Sequence, residues 1–280
     1  TLSGTGTSVA AGTLGALTTA ANSTLALNTS GLTTTGSVVI DADITTLNIT
    51  SSLDSSATTT STSTIEDLEA GGVTTLNLSG AEALTISNLM TTTSSAVTSV
   101  VSTNTGGVTI SDALAVGTLF TGAAGADDIT VGATTKAITM GAGDDTVTVS
   151  ASALGTNGSI AGGDGTDTIE LSAANAVTAT ANGTFETTVS GFETLSVLAM
   201  GGNSTVNLGN MDDINDVSFA GGSYTLSLTN ATSGLNLVQT AAATGATITL
   251  VDSSGTSDSL TAKVTGAAAI AGGTLTSNSI

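Results

Sequence analysis

Three glycine-aspartate stretches hold the residue types and spacing best suited to chemistry. Gly122-Ala-Ala-Gly125-Ala-Asp127-Asp128-Ile129-Thr130 follows the nonapeptide G-G-x-G-x-D-x-apolar-x, with Ala123 in place of one glycine. Eighteen residues on, Met140-Gly-Ala-Gly143-Asp144-Asp145-Thr-Val147-Thr148 repeats it with Met140 at the first glycine, and Gly162-Gly163-Asp164-Gly165-Thr-Asp167-Thr-Ile169-Glu170 fits throughout. Glycines at these positions allow a tight turn that aims main-chain carbonyl oxygens inward, and the aspartate adds a hard anionic oxygen. Both suit Ca²⁺, which takes roughly six to eight oxygen ligands. Asp127, Asp145 and Asp167, with Gly125, Gly143 and Gly165, are therefore the candidate metal residues. Asp128, Asp144 and Asp164 lie beside the pattern and read equally as ligands or solvated carboxylates. Ordinary Gly-Asp turns are the alternative for any single copy.

The spacing says how these residues must be held. If each coil of a parallel roll uses two nonapeptides, copies 18 residues apart stack on one side, and Asp127 faces Asp145 across one inter-coil gap. Asp167 lies 22 residues beyond Asp145, so the column continues only if four residues bulge out, and Leu154 to Gly158 is the natural place. Between the first two copies, Val131 to Thr139 keeps Gly132 and Ile138 but puts Lys136 at the aspartate position, an ammonium with the wrong charge. The ion column is thus expected on one side of the roll, with Ile129, Ile138, Val147 and Ile169 in its core.

Alternating segments at Leu25–Asn28, Leu47–Thr50, Leu76–Ser79, Val206–Gly209, Leu226–Thr229 and Ile248–Val251 read as half-buried strands of coils about 20 residues long. The chain carries 59 threonines, which favour strands, and only 2 % aromatics, so its core must be aliphatic and thin. Helix signals are few; Ser63 with Glu66 has the form of a capping box and predicts one turn to Leu68. The whole reads as an all-β, right-handed parallel β-solenoid with a Ca²⁺-binding β-roll, divided as 1–117 strands, 118–175 roll and 176–280 further strands. Asp41 with Asp43, on one strand face, and Glu66, Asp67 and Glu69 are expected to face solvent, with metal binding as the alternative. Asp212, Asp213 and Asp216 read as a solvated acidic loop, with an ion site as the alternative. The Ser/Thr tracts Ser55–Thr64 and Met90–Ser95 read as surface loops, with O-glycosylation as the alternative.

Composition removes most other chemistry. With no His and no Cys there is no imidazole base, Ser-His-Asp triad, thiolate site or disulfide. Two basic residues against 22 acidic ones, a formal charge of -20, exclude nucleic acid and anionic membrane surfaces as partners. No apolar run reaches membrane-spanning length, so no membrane insertion is expected. Paired carboxylates can hydrolyse glycosides, but the aromatic platforms such clefts use are missing, and no enzyme activity is expected. Starting at Thr1, the chain reads as an internal piece of a longer protein.

These motifs, joined by Leu119-Phe-Thr-Gly before the first, Gly132-Ala-Thr-Thr-Lys-Ala-Ile between two of them and Gly191-Phe-Glu-Thr-Leu after the last, resemble the RTX-type surface-layer proteins of Gram-negative bacteria. The match runs over about 80 residues, from Leu119 to Val197; outside it the similarity is mainly of composition. The resemblance implies a calcium-dependent protein exported by type I secretion, located extracellularly on the cell surface. There it would self-associate into a two-dimensional lattice, with a cell-surface polysaccharide held by a region outside this chain. A repeat module of a large secreted RTX adhesin is the second reading, and a noncatalytic module of an exoenzyme the third.

Overall fold

Aliphatic and β-branched residues alternate with Thr, Ser and Asn, so each extended segment has one apolar edge that needs covering. The computed structural model describes residues 23–53, 62–89, 97–198, 200–211, 213–220, 222–240, 243–250, 259–264 and 274–278, where coiling covers that edge. Consecutive strands alternate between two sides and pair in parallel with the strand one coil away. One side is an eight-stranded sheet from Ser23–Thr29 to Val189–Ser190, followed by a four-stranded sheet from Ser204–Asn207 to Thr274–Asn278. The other is an 11-stranded sheet from Ser37–Val39 to Leu260–Val264. The protein is a parallel β-solenoid.

Register shows how so thin a core is filled. Leu47, Leu76, Val100, Phe120, Ile138, Ile160 and Val189 stack in line on one side. Ile86, Ile110, Ile129, Val147, Ile169, Leu195, Val217 and Leu237 do the same on the other. All of these are buried. Each coil thus adds one layer of aliphatic side chains between its neighbours, as expected of a quasi-one-dimensional repeat. Coil length varies: Phe120 to Ile138 is 18 residues, Leu47 to Leu76 is 29. The strands stay in register despite this difference. Strand pairing also crosses residues 117/118 and 175/176 unbroken, joining Val108–Leu114 to Asp128–Val131 and Thr168–Leu171 to Thr194–Val197.

Local expectations differ from the structure in four places. Thr62–Glu69 is a strand paired with Ala83–Leu89, not a helical turn; Ser63 is buried and its hydroxyl donates to Glu82 at 2.7 Å, so it caps nothing. A helix occurs at Ala173–Ala179, where the Ser172 hydroxyl accepts the Asn175 N–H before an Ala-rich run and Ala173, Ala176 and Ala179 are buried. Leu208–Asn210 forms a 3-10 turn, cutting short the strand read at Val206–Gly209. Asp41 and Asp43 lie in a turn, where Asp43 N–H donates to the Asp41 carboxylate at 2.9 Å. The tract Met90–Ser95, most of Ser55–Thr64, and Asp212 lie outside the described residues.

Candidate metal centre

The three motifs place their turns at one edge of the solenoid, where each chain leaves the eight-stranded sheet and enters the 11-stranded one. Glycine is required there by contact as well as by backbone angle. Gly143 and Gly165 have φ of 134° and 149°, and a Cβ on Gly165 would lie 1.9 Å from the Gly143 carbonyl oxygen, one on Gly143 2.8 Å from that of Gly125. The three pattern glycines therefore stack main chain on main chain. Lateral stacking of this closeness brings the aspartate two residues later into the same column at every coil.

Asp127, Asp145 and Asp167 are 1 %, 1 % and 0 % exposed. One oxygen of each carboxylate accepts a backbone N–H from the coil before: Asp127 from Val108 at 2.8 Å, Asp145 from Asp127 at 2.7 Å, Asp167 from Asp145 at 2.9 Å. The second oxygen, Oδ2, is buried in all three and has no hydrogen-bond partner. Such orphaned anionic atoms are costly. Burial pushes the Asp127 carboxyl up to about 7, against the opposing Val108 N–H and with the neighbouring Asp145 charge adding to the rise. Burial raises Asp145 too, and lifts Asp167 to about 6 with further repulsion from Asp145, Glu193 and Asp144. The column demands a positive partner, a proton or a cation.

The surroundings of the orphan oxygens fit a hard cation. A Cβ on Gly122 would sit 1.9 Å from the Met140 carbonyl oxygen and 2.7 Å from Asp127 Oδ2; one on Gly162 would sit 1.9 Å from the Gly191 carbonyl and 2.6 Å from Asp167 Oδ2. A bare glycine thus brings a main-chain oxygen and an unpartnered carboxylate oxygen to one place, twice. Among the described residues no three acidic side chains gather into a cage, so the other ligands of an ion would be main-chain oxygens of the turns, with one aspartate per rung. The departure at Met140 has a structural reason: it ends the inward-facing part of strand Ala137–Ala142 and its side chain is fully buried in the core.

Gly162→Ala is accordingly expected to destabilise the roll by about 3 kcal/mol, since both crowded neighbours are fixed by the column. Gly201→Ala, with open space around it, serves as the control, and paired thermal melts in calcium check the difference; equal midpoints would refute the cradle.

Other candidates fall elsewhere. Asp128, Asp144 and Asp164 are exposed; Asp144 accepts the Thr166 N–H at 2.9 Å on the outer side of the turn. Lys136 does not occupy the aspartate position of its turn, as its spacing had implied. It is exposed, and buried Thr134 fills the inner place, its hydroxyl accepting the Lys136 N–H at 3.1 Å. The four-residue surplus before Asp167 lies between Ser150, still bonded to Val131, and Ser159, which pairs with Ala137. That span includes Leu154–Gly158 and the left-handed Asn157.

Two features of the column were not expected. Glu193 accepts the Asp167 N–H at 2.8 Å, closing the ladder from the next coil. There the turn is three residues shorter, with Gly191 two residues before the acid, and the longer side chain spans the deficit. A Gly-x-Glu directly before an apolar strand was the available signal. At the other end Asn104 and Glu82 take the corner with their polar atoms engaged: Gly106 N–H donates to Asn104 at 2.7 Å, and Gly31 N–H and Ser63 hydroxyl donate to Glu82 at 2.8 and 2.7 Å. Orphan oxygens therefore mark three consecutive rungs.

No protein-family model and no curated protein matches the chain. The functional reading rests on this column and the fold that builds it.

Proposed function

We propose that the protein is a calcium-folded segment of an extracellular structural protein that assembles into a surface lattice. The observation carrying this is the buried column of Asp127, Asp145 and Asp167 with three unpartnered Oδ2 atoms, those of Asp127 and Asp167 beside glycine-exposed carbonyl oxygens. Ca²⁺ bound there would supply the charge the column lacks, held by those carboxylates and by turn carbonyls. Cytosol is poor in calcium and the outside of a cell rich in it. A chain dependent on the ion at about 10⁻⁴ to 10⁻³ M would stay unfolded until export, which suits secretion through a narrow conduit. An elongated solenoid without histidine or cysteine, and with its polar side chains mostly short hydroxyls and amides, suits a building block better than a catalyst. Among the described residues no helix is long and apolar enough to cross a membrane.

Electron microscopy of the protein with millimolar Ca²⁺ and with EGTA tests this. Ordered sheets are expected in calcium and dispersed chains in EGTA. Monomeric rods in both would remove the lattice while leaving the ion column to be judged by spectroscopy.

A further inference from the structure

Charge is unevenly placed on this solenoid. The 11-stranded sheet carries Glu66, Asp67 and Glu69 on one strand, then Asp112, Asp128, Glu170 and Asp216 on others. The eight strands of the opposite sheet carry one charged residue, Asp164, at the tip of Ser159–Asp164 in the glycine turn. The rest of that sheet is neutral, in a chain whose formal charge is -20.

Its outward side chains form ranks. Asn48, Asn77, Val101, Thr121 and Thr139 lie in register across five strands, and Thr46, Thr75 and Ser99 run beside them on three of the five. Within the ranks the polar groups satisfy one another: Asn77 Nδ2 donates to Asn48 Oδ1 at 2.8 Å, and the Thr50 and Ser79 hydroxyls share a hydrogen bond at 3.0 Å. The side chains are small and already ordered, so a partner meeting this face loses little conformational entropy and strands few donors.

We infer that this face of the eight-stranded sheet is where a second copy of the chain docks, neutral face on neutral face. This deepens the lattice reading and rests on it. Two copies so acidic repel wherever their charged sheets or turns approach, and the neutral face is the broad surface on which they can close without that cost. Strands spaced by about 4.8 Å and three outward residues per strand about 6.7 Å apart make seven strands a surface of roughly 700 Å². That is close to the ~800 Å² per partner of an ordinary specific interface. A two-fold axis would make the contact isologous, each Asn-Thr rank meeting its own copy.

The test uses sedimentation velocity of the full chain in millimolar Ca²⁺ with three proteins. Wild type is expected to self-associate. Asn48→Asp with Thr121→Asp, two carboxylates set three strands apart on the neutral face, should raise the dissociation constant at least tenfold. Thr85→Asp with Thr130→Asp, the same charge added to the 11-stranded sheet, should associate like wild type. Because the chain has no cysteine, a spin label on Thr75→Cys gives a second measurement: dipolar broadening in calcium is expected there and not on Thr130→Cys. Wild-type association by the neutral-face variant, broadening only at position 130, or a monomeric wild type that captures polysaccharide through this face would each overturn the proposal. Circular dichroism of the same samples with and without EGTA separates the two readings. If calcium changes the spectrum but the neutral-face variant still associates, the docking face is wrong and the ion column stands; if calcium changes nothing, the column itself fails.

Discussion

In EGTA at pH 8 the roll between Gly122 and Glu170 is expected to lose its strand signal, and acidification to about pH 5 is expected to restore it without any metal. The sign follows from the column. Asp127 and Asp167 have folded-state values near 7 and near 6, Asp145 is also raised, and all three start from 3.8 in an exposed chain. The metal-free folded state therefore binds protons more tightly than the unfolded state does. Its stability from these groups is fully present below about 3.8 and is lost as pH rises through 6 and then 7. With calcium the order reverses, because the ion takes the deprotonated carboxylates and binds better as pH rises. Thermal melts in EGTA at pH 5 and pH 8 should differ by roughly 5–10 °C in favour of pH 5, using ~2–4 °C per kcal/mol for a chain of this size. Millimolar Ca²⁺ should erase or invert the difference. A metal-free protein that is more stable at pH 8 than at pH 5 would show that the buried carboxylates do not control folding.

Much of this was legible in the residues, and the misses have physical causes. Strand periodicity and the glycine-aspartate spacing depend on local chemistry, so the coil, the shared corner of Asp127, Asp145 and Asp167, and the bulge ahead of Asp167 could be read in advance. Lys136 shows the limit: a nonapeptide frame assigns positions by counting, while the turn decides which side chain points inward, and Thr134 at that turn binds back to the main chain instead. Ser63 shows another. Its capping pattern with Glu66 is local, but a strand in the adjacent coil already claims the backbone, and the hydroxyl goes to Glu82 from 19 residues away. Glu193 lies outside the repeat frame; only the three-dimensional stacking of Gly191 over Gly162 shows that a longer acid completes the ladder there. Long-range partners of this kind leave no periodic trace.

Replacing the middle rung separates the two roles of its carboxylate. Asp145 accepts the Asp127 N–H through one oxygen and keeps the other unpartnered. Asp145→Asn retains an accepting oxygen at nearly the same place and deletes the charge, so in EGTA at pH 8 it should stabilise the roll. That gain should shrink as the pH falls, because burial raises the Asp145 carboxyl and protonation removes the charge the substitution deletes. In calcium the same change should weaken binding at least tenfold, since the anionic oxygen is gone. Asp145→Ala removes both roles: it strands the buried Asp127 N–H at a cost of about 1–3 kcal/mol and destabilises the roll with or without metal. Its effect should exceed those of Asp127→Ala and Asp167→Ala, because Asp145 borders two gaps of the column and each of the others, counting only the three orphan rungs, borders one. Lys136→Ala should be silent, its side chain being outside the turn that Thr134 fills. Calorimetric titration of calcium together with melts in EGTA measures all five variants. If Asp145→Asn fails to raise the metal-free melt at pH 8 while Asp145→Ala lowers it, the carboxylate acts as a hydrogen-bond acceptor alone and the charge of the column has no part in folding.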